Sequence, residues 1–144
     1  MHARTWLVAV VMLAALCACT RTTPEQRLRD TVASLQAAIE DRSAGDIREV
    51  LADDFVGPEG LDREGAVRVA QAMFLRYRDI GITIAGPLQV RMQPGHASVR
   101  FEAALAGGSG SLLPDAARLY SVETGWRLDG GNWRLTSAKW TPRL

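Results

Sequence analysis

The sequence predicts an α+β fold in which three N-terminal helices pack on a strongly curved antiparallel sheet. Three observations carry that expectation. Apolar residues recur at helical spacing through the first half of the chain. From Leu88 onward the period changes to alternation. Turn clusters rich in Gly, Pro, Asp and Asn separate the periodic runs. Curvature is expected because long strands with glycines at their ends must wrap around an amphipathic helix to hide their apolar face.

Thr23-Pro24-Glu25-Gln26 is a helix start: a Thr N-cap, Pro at the first helical position and Gln at the third. Leu28, Val32, Leu35 and Ile39 then form one apolar stripe, with Arg27, Arg29, Asp30, Gln36 and Glu40 on other faces. Gly45 is read as the stop, and Asp46 with Glu49 as the cap of a second, short helix carrying Ile47, Val50 and Leu51. Gly57-Pro58-Glu59-Gly60 makes a turn. Asp62 caps a third helix, with Val67, Ala70, Met73, Phe74 and Tyr77 along its apolar side and an end near Gly81.

Leu88, Val90 and Met92 alternate, Pro94-Gly95 turns, and Val99, Phe101, Ala103 and Leu105 answer on a second strand. Residues 107–114 read as a flexible loop in which Leu112 and Leu113 are apolar. Tyr120, Val122, Thr124, Trp126 and Leu128 share a face of the next strand. Asp129-Gly130-Gly131-Asn132 supplies residues able to take positive φ, and Trp133, Leu135 and Ser137 lie on the returning strand.

Ahead of this domain, residues 1–18 read as a lipoprotein signal peptide. A short basic start precedes an unbroken apolar run over residues 5–16, too short for a comfortable membrane span. Leu16-Cys17-Ala18-Cys19 resembles the bacterial lipobox, with an apolar residue at −3 and a small one at −1. Cys19 is therefore the expected lipidation site; taking Cys17 instead would put bulky Leu16 next to the cleaved bond. Residues 19–22 are the lipidated cysteine and a short tether, and residues 23–144 the domain. Several buried acyl chains, each contributing about 0.8 kcal/mol per CH₂, hold a protein to a membrane durably. The expected location is the cell envelope, on the periplasmic side of the outer membrane in a Gram-negative host, because no Asp follows Cys19.

Composition bounds the function classes. The chain has 144 residues, 47% of them hydrophobic and 23% charged, which suits one globular domain with a self-sufficient core. Its 17 basic residues balance 16 acidic ones, which disfavours nucleic acid as a partner. Both cysteines fall in the first twenty residues and only two histidines occur, His2 and His96, so no metal site and no cofactor are expected.

The order of elements over residues 23–140 resembles the NTF2-like superfamily, which includes nuclear transport factor 2, SnoaL-like polyketide cyclases and ketosteroid isomerase. The residues carrying it are Ala52-Asp53-Asp54-Phe55 after the second helix, the third helix through Phe74, and Gly130-Gly131-Asn132-Trp133-Arg134-Leu135. The resemblance implies a conical α+β barrel with a pocket between sheet and helices, and dimerisation through the outer sheet face as an option. Phe74, Tyr77, Phe101, Tyr120, Trp126 and Trp133 are the expected pocket lining. For the tryptophans, core packing is the competing reading.

Isomerase or cyclase chemistry needs a carboxylate or imidazole in an apolar pocket with an oxyanion stabiliser. Tyr77, Asp79, His96, Glu102, Tyr120 and Glu123 are candidates, but none matches a catalytic position of the superfamily, and no catalytic residue is assigned. His96 follows a turn and is expected in solvent. Asp53 and Asp54 are expected to cap or solvate a helix end. Glu102 should point away from the face of Phe101 and Ala103. Arg91, Arg100, Arg118, Arg127 and Arg134 suggest either a basic sheet face or simply solvated charges. The leading expectation is an envelope-anchored, non-catalytic domain binding a small apolar ligand or a protein partner. An enzyme of the isomerase, cyclase or dehydratase type and a structural module are the alternatives.

Overall fold

The computed structural model describes residues 21–108 and 116–143. The expected signal peptide over residues 1–18, the expected lipidation site Cys19, and Leu112 and Leu113 lie outside the described residues. No helix among the described residues is long and apolar enough to cross a membrane.

Helix α1 spans Pro24–Glu40 and starts as its sequence specifies, with the Thr23 hydroxyl accepting from the Gln26 amide at 3.1 Å. Leu28, Val32 and Ala38 are buried, and Leu35 and Ile39 pack beside them. The helix ends earlier than expected, because Arg42 adopts a left-handed conformation (φ 58). The Asp41 and Ser43 amides then bond back to the carbonyls of Ala37 and Ala38. Ser43, not Asp46, caps α2 (Ala44–Val50), and Gly45 lies inside that helix rather than between the two.

Leu51 leaves the second helix and opens strand β1 (Leu51–Val56). A 3₁₀ turn over Pro58–Gly60 leads to α3 (Arg63–Arg76), capped by Asp62 on the Gly65 amide at 2.7 Å. This helix stops at Tyr77 rather than near Gly81. Asp79 already begins strand β2 (Asp79–Gln93), in which Ile80, Ile82 and Ile84 are half-buried and alternate with exposed residues. Met73, expected in the core, sits on the flank of α3 and is exposed.

Strands β3 (His96–Gly108), β4 (Ala116–Asp129) and β5 (Asn132–Pro142) complete a sheet of order β1-β5-β4-β3-β2. The sheet is mixed, correcting the all-antiparallel expectation: β2 to β5 form an antiparallel meander, and β1 pairs parallel with β5 (Leu51↔Leu135). A parallel partner can join here because α3 and the whole meander separate the two strands in sequence. The sheet is curled around the helices and open, in the α+β cone arrangement.

Two irregularities bend it. In β2, Gly86 (φ 74) and Pro87 interrupt pairing between Ala85↔Glu102 and Gln89↔Arg100. At the β4–β5 junction, Trp126 opposes Leu135 but Gly125 opposes Ser137, so Thr136 is an extra residue. A Cβ on Gly125 would lie 2.5 Å from the Ser137 hydroxyl, which is why glycine stands at this bulge. The bulge shifts the phase of β5: Trp133 and Leu135 face the core, then Ala138 and Trp140, while Ser137 turns outward.

The core gathers Leu28, Val32, Ile47, Leu51, Phe55, Val67, Phe74, Val99, Trp126, Trp133 and Leu135. Helix α1 spans the sheet end to end. At its start the Trp133 indole donates to the Pro24 carbonyl (3.0 Å), and Arg27 reaches the Gly131 carbonyl (3.3 Å). At its far end Gln36 donates to the Ile82 carbonyl (2.8 Å), and the Ile82 amide donates to Glu40 (3.0 Å).

Candidate functional site

The core-facing side of β2 to β5 changes character along its length. Near the turns it is filled by Ala97, Trp126, Trp133 and Leu135, all below a tenth exposed. Farther along, cross-strand pairing brings Phe101, Val122 and Trp140 into one row and Ile84, Ala103, Tyr120 and Pro142 into the next. Of these, Phe101, Val122, Ile84 and Tyr120 are half-buried, and Trp140 is 45% exposed. Tyr77, the residue after α3, lays its ring on Gly107, where a Cβ would come within 2.9 Å of it. The Arg76 guanidinium stands over that ring, 5.5 Å from its centroid. The wide end of the cone is thus an aromatic shelf only partly covered by helices.

The six expected lining residues divide accordingly. Phe101 and Tyr120 are diagonal neighbours on the shelf, and Tyr77 lies about four residues farther along β3. Phe74, Trp126 and Trp133 belong to the packed core. Trp126 is held there by its indole donating to the Thr124 hydroxyl (2.8 Å), which donates to the Val99 carbonyl (3.0 Å). Trp140 joins the shelf although the alternation around Ser137 pointed it the other way. Only the one-residue shift at the bulge reveals its face.

The carboxylate and imidazole candidates lie elsewhere, leaving Tyr77 and Tyr120 as the candidates at the shelf. His96 is exposed beside its turn, 3.3 Å from the Pro94 carbonyl. Glu102 points outward, opposite to Phe101, accepting from Ser121 at 2.9 Å with Arg143 at 3.6 Å. Glu123 is on the same outer face, paired with Arg100 at 2.7 Å. Asp79 is exposed at the start of β2. Asp53 and Asp54 do not cap a helix; as strand residues of β1 they hold its edge to its neighbours. Asp53 meets Arg63 at 2.5 Å, and Asp54 receives a bidentate pair from Arg127 at 3.0 and 3.1 Å. That hydrogen bonding from Arg127 holds the Asp54 carboxyl below its ordinary range. Asp129, and then Asp54, raise Arg127 further above its usual value.

Two surface depressions lie elsewhere, the first polar and the second mixed in character. One, of about 370 Å³, lies over this ion-pair cluster and is lined by Glu49, Asp53, Arg63, Arg127, Asp129 and Arg134. Arg134 is tied to the Glu49 carbonyl. The other, of about 480 Å³, is a trough on the outer sheet face between Arg91, Arg100 and Lys139, with Ser98, Gly125 and Ser137 along it. The five sheet arginines do not form one basic face, since Arg100 and Arg127 are each neutralised by carboxylates. Among the described residues no group of His, Cys, Asp and Glu is placed to hold a metal ion.

No family model and no curated protein matches the chain. Solved structures do. Bd1075 of Bdellovibrio bacteriovorus superposes with a TM-score of 0.72 at 13% identity over 82% of this chain, which spans only 41% of that protein. A candidate dehydratase of the NTF2-like family from Streptomyces avermitilis gives 0.71 at 17% identity, covering 85% of this chain and 99% of that one. An NTF2-like superfamily protein from Salmonella enterica serovar Typhimurium gives 0.72 at 8% identity, with 83% and 90% covered. At these identities the likeness establishes the fold.

Proposed function

Because the chain adopts the NTF2-like α+β cone, we propose that it is an envelope-anchored lipoprotein whose domain binds a small apolar molecule at the wide end of the cone without transforming it. The observation carrying this reading is the shelf of Phe101, Val122, Tyr120 and Trp140: aromatic, incompletely covered, and paired across three strands with aliphatic neighbours rather than carboxylates or imidazoles. Half-exposed aromatic surface of this kind gains free energy when a ligand removes it from water, at about 25 cal/mol per Å². The carboxylates and His96 that could move protons lie on the outer face, at the turns or in ion pairs. A dehydratase-like activity is the second reading, favoured by the Streptomyces avermitilis neighbour. It would have to rely on Tyr77 or Tyr120 at the shelf.

Native mass spectrometry of residues 20–144, purified without detergent, tests the proposal and reads oligomeric state together with ligand. A reproducible non-covalent adduct is expected, lost in Phe101→Ala and Trp140→Ala variants that keep the wild-type circular dichroism. An adduct-free spectrum, or an adduct unaffected by both changes, would sink the binding reading. The anchor is tested separately: Cys19→Ser should move the protein from the membrane to the soluble fraction, and unchanged partition would remove it.

A further inference from the structure

If Cys19 carries the lipid, as just proposed, the fold dictates which end of the domain meets the bilayer. Four residue steps separate Cys19 from the N-cap Thr23, so even fully extended they reach about 15 Å. The start of α1 is not free to swing. The Trp133 indole holds the Pro24 carbonyl, and Arg27 holds the Gly131 carbonyl, tying the helix to the β4–β5 turn. The β2–β3 turn is fastened to the same end, through the Leu128 amide on the Gly95 carbonyl.

The shelf stands at the opposite end. Helix α1 runs from these turns for 17 residues, about 25 Å, before Gln36 and Glu40 grip Ile82. Along β3 the shelf runs from Phe101, about 17 Å of strand from His96, to Gly107, about 36 Å from it. A tether of at most about 15 Å cannot bring the wide end to the membrane without detaching α1 from the hairpin.

We infer that the domain stands on a phospholipid surface through the α1 N-terminus and the Pro94-Gly95 and Gly130-Gly131 turns, with the aromatic shelf opening away from the bilayer. The chemistry at that end suits a headgroup layer. Arg21 and Arg27 have no carboxylate partner among the described residues, while Glu25 is neutralised by Arg29 and Asp129 by Arg127. The turn glycines present no side chains to penetrate the acyl region. A ligand would then reach the shelf from the aqueous compartment rather than by lateral diffusion out of the membrane.

The test uses the full lipidated chain in vesicles of phosphatidylethanolamine and phosphatidylglycerol containing a nitroxide-headgroup lipid. Both native cysteines precede residue 20, and an acylated Cys19 has no free thiol, so a single introduced cysteine can be labelled uniquely. Fluorophores at Asn132→Cys, beside the β4–β5 turn, and at Thr141→Cys, at the far end of β5, are both on exposed positions. Quenching several-fold stronger at position 132 than at 141 is expected. Equal or reversed quenching on protein that floats with the vesicles would overturn the orientation while leaving the anchor intact. Protein that fails to float would overturn the anchor and the orientation together.

Discussion

Among the described residues Thr124 is the one buried polar side chain in the core, and its hydroxyl serves two neighbours at once, accepting from the Trp126 indole and donating to the Val99 carbonyl. Thr124→Val preserves shape but strands a buried indole N–H, so a loss of about 1–3 kcal/mol is expected in urea denaturation. Thr124→Ser, which keeps the hydroxyl, should lose less. At Asp54 the consequence is one of pH. Its carboxyl titrates below its ordinary value because Arg127 bonds the charged form. The stabilisation is therefore complete above the unfolded value near 3.8 and is lost as pH falls through the lower folded value. The stability difference between wild type and Asp54→Asn should be constant through neutral pH and vanish only below about pH 4, as read by denaturation midpoints across pH. A difference already closing at pH 6 would refute the assignment.

At the scale of elements, β2 is an edge strand, and α1 covers part of its edge. Gln36 and Glu40 occupy the outward carbonyl and amide of Ile82 as another strand would, and the Gly86-Pro87 irregularity breaks the edge beyond it. Replacing both Gln36 and Glu40 by Ala should speed hydrogen exchange at the Ile82 amide and promote self-association in concentration-dependent light scattering; unchanged exchange would show that the grip is not formed in solution. Two helix starts were legible because caps are local: Thr23 and Asp62 announce their helices in a few residues, whereas at α2 Gly45 and Asp46 drew attention from Ser43, the true cap. The stops were not. Gly81 resembled a helix terminator, yet Ile80, Ile82 and Ile84 already alternate on either side of it, and the backbone's strand pairing with Ala106 decides the matter. Strand β1 was invisible as a strand because six residues with two adjacent aspartates carry too little alternation, and their partners, Arg63 and Arg127, are remote in sequence. The inward face of Phe101 and Tyr120 was readable from alternation alone, whereas the inward turn of Trp140 depends on the Gly125 bulge, a property of two strands together.

For the molecule as a whole, β5 is the strand on which everything converges. It supplies Trp133 and Leu135 to the core, Trp140 to the shelf, the anchor point of α1 and, among the described residues, the sole strand partner of β1. A chain truncated after Asp129 should therefore fail to fold rather than lose a strand, giving collapsed amide dispersion by NMR; a cooperative, native-like domain in that truncation would refute this. The parallel pairing of Leu51 with Leu135 also has a consequence in time. Chains are made, and threaded through pores, N-terminus first, and contacts this distant in sequence close late. The helices and β1 can form locally, but β1 has no strand to join until β5 has emerged, so the sheet is completed only on the side of the pore where β5 arrives.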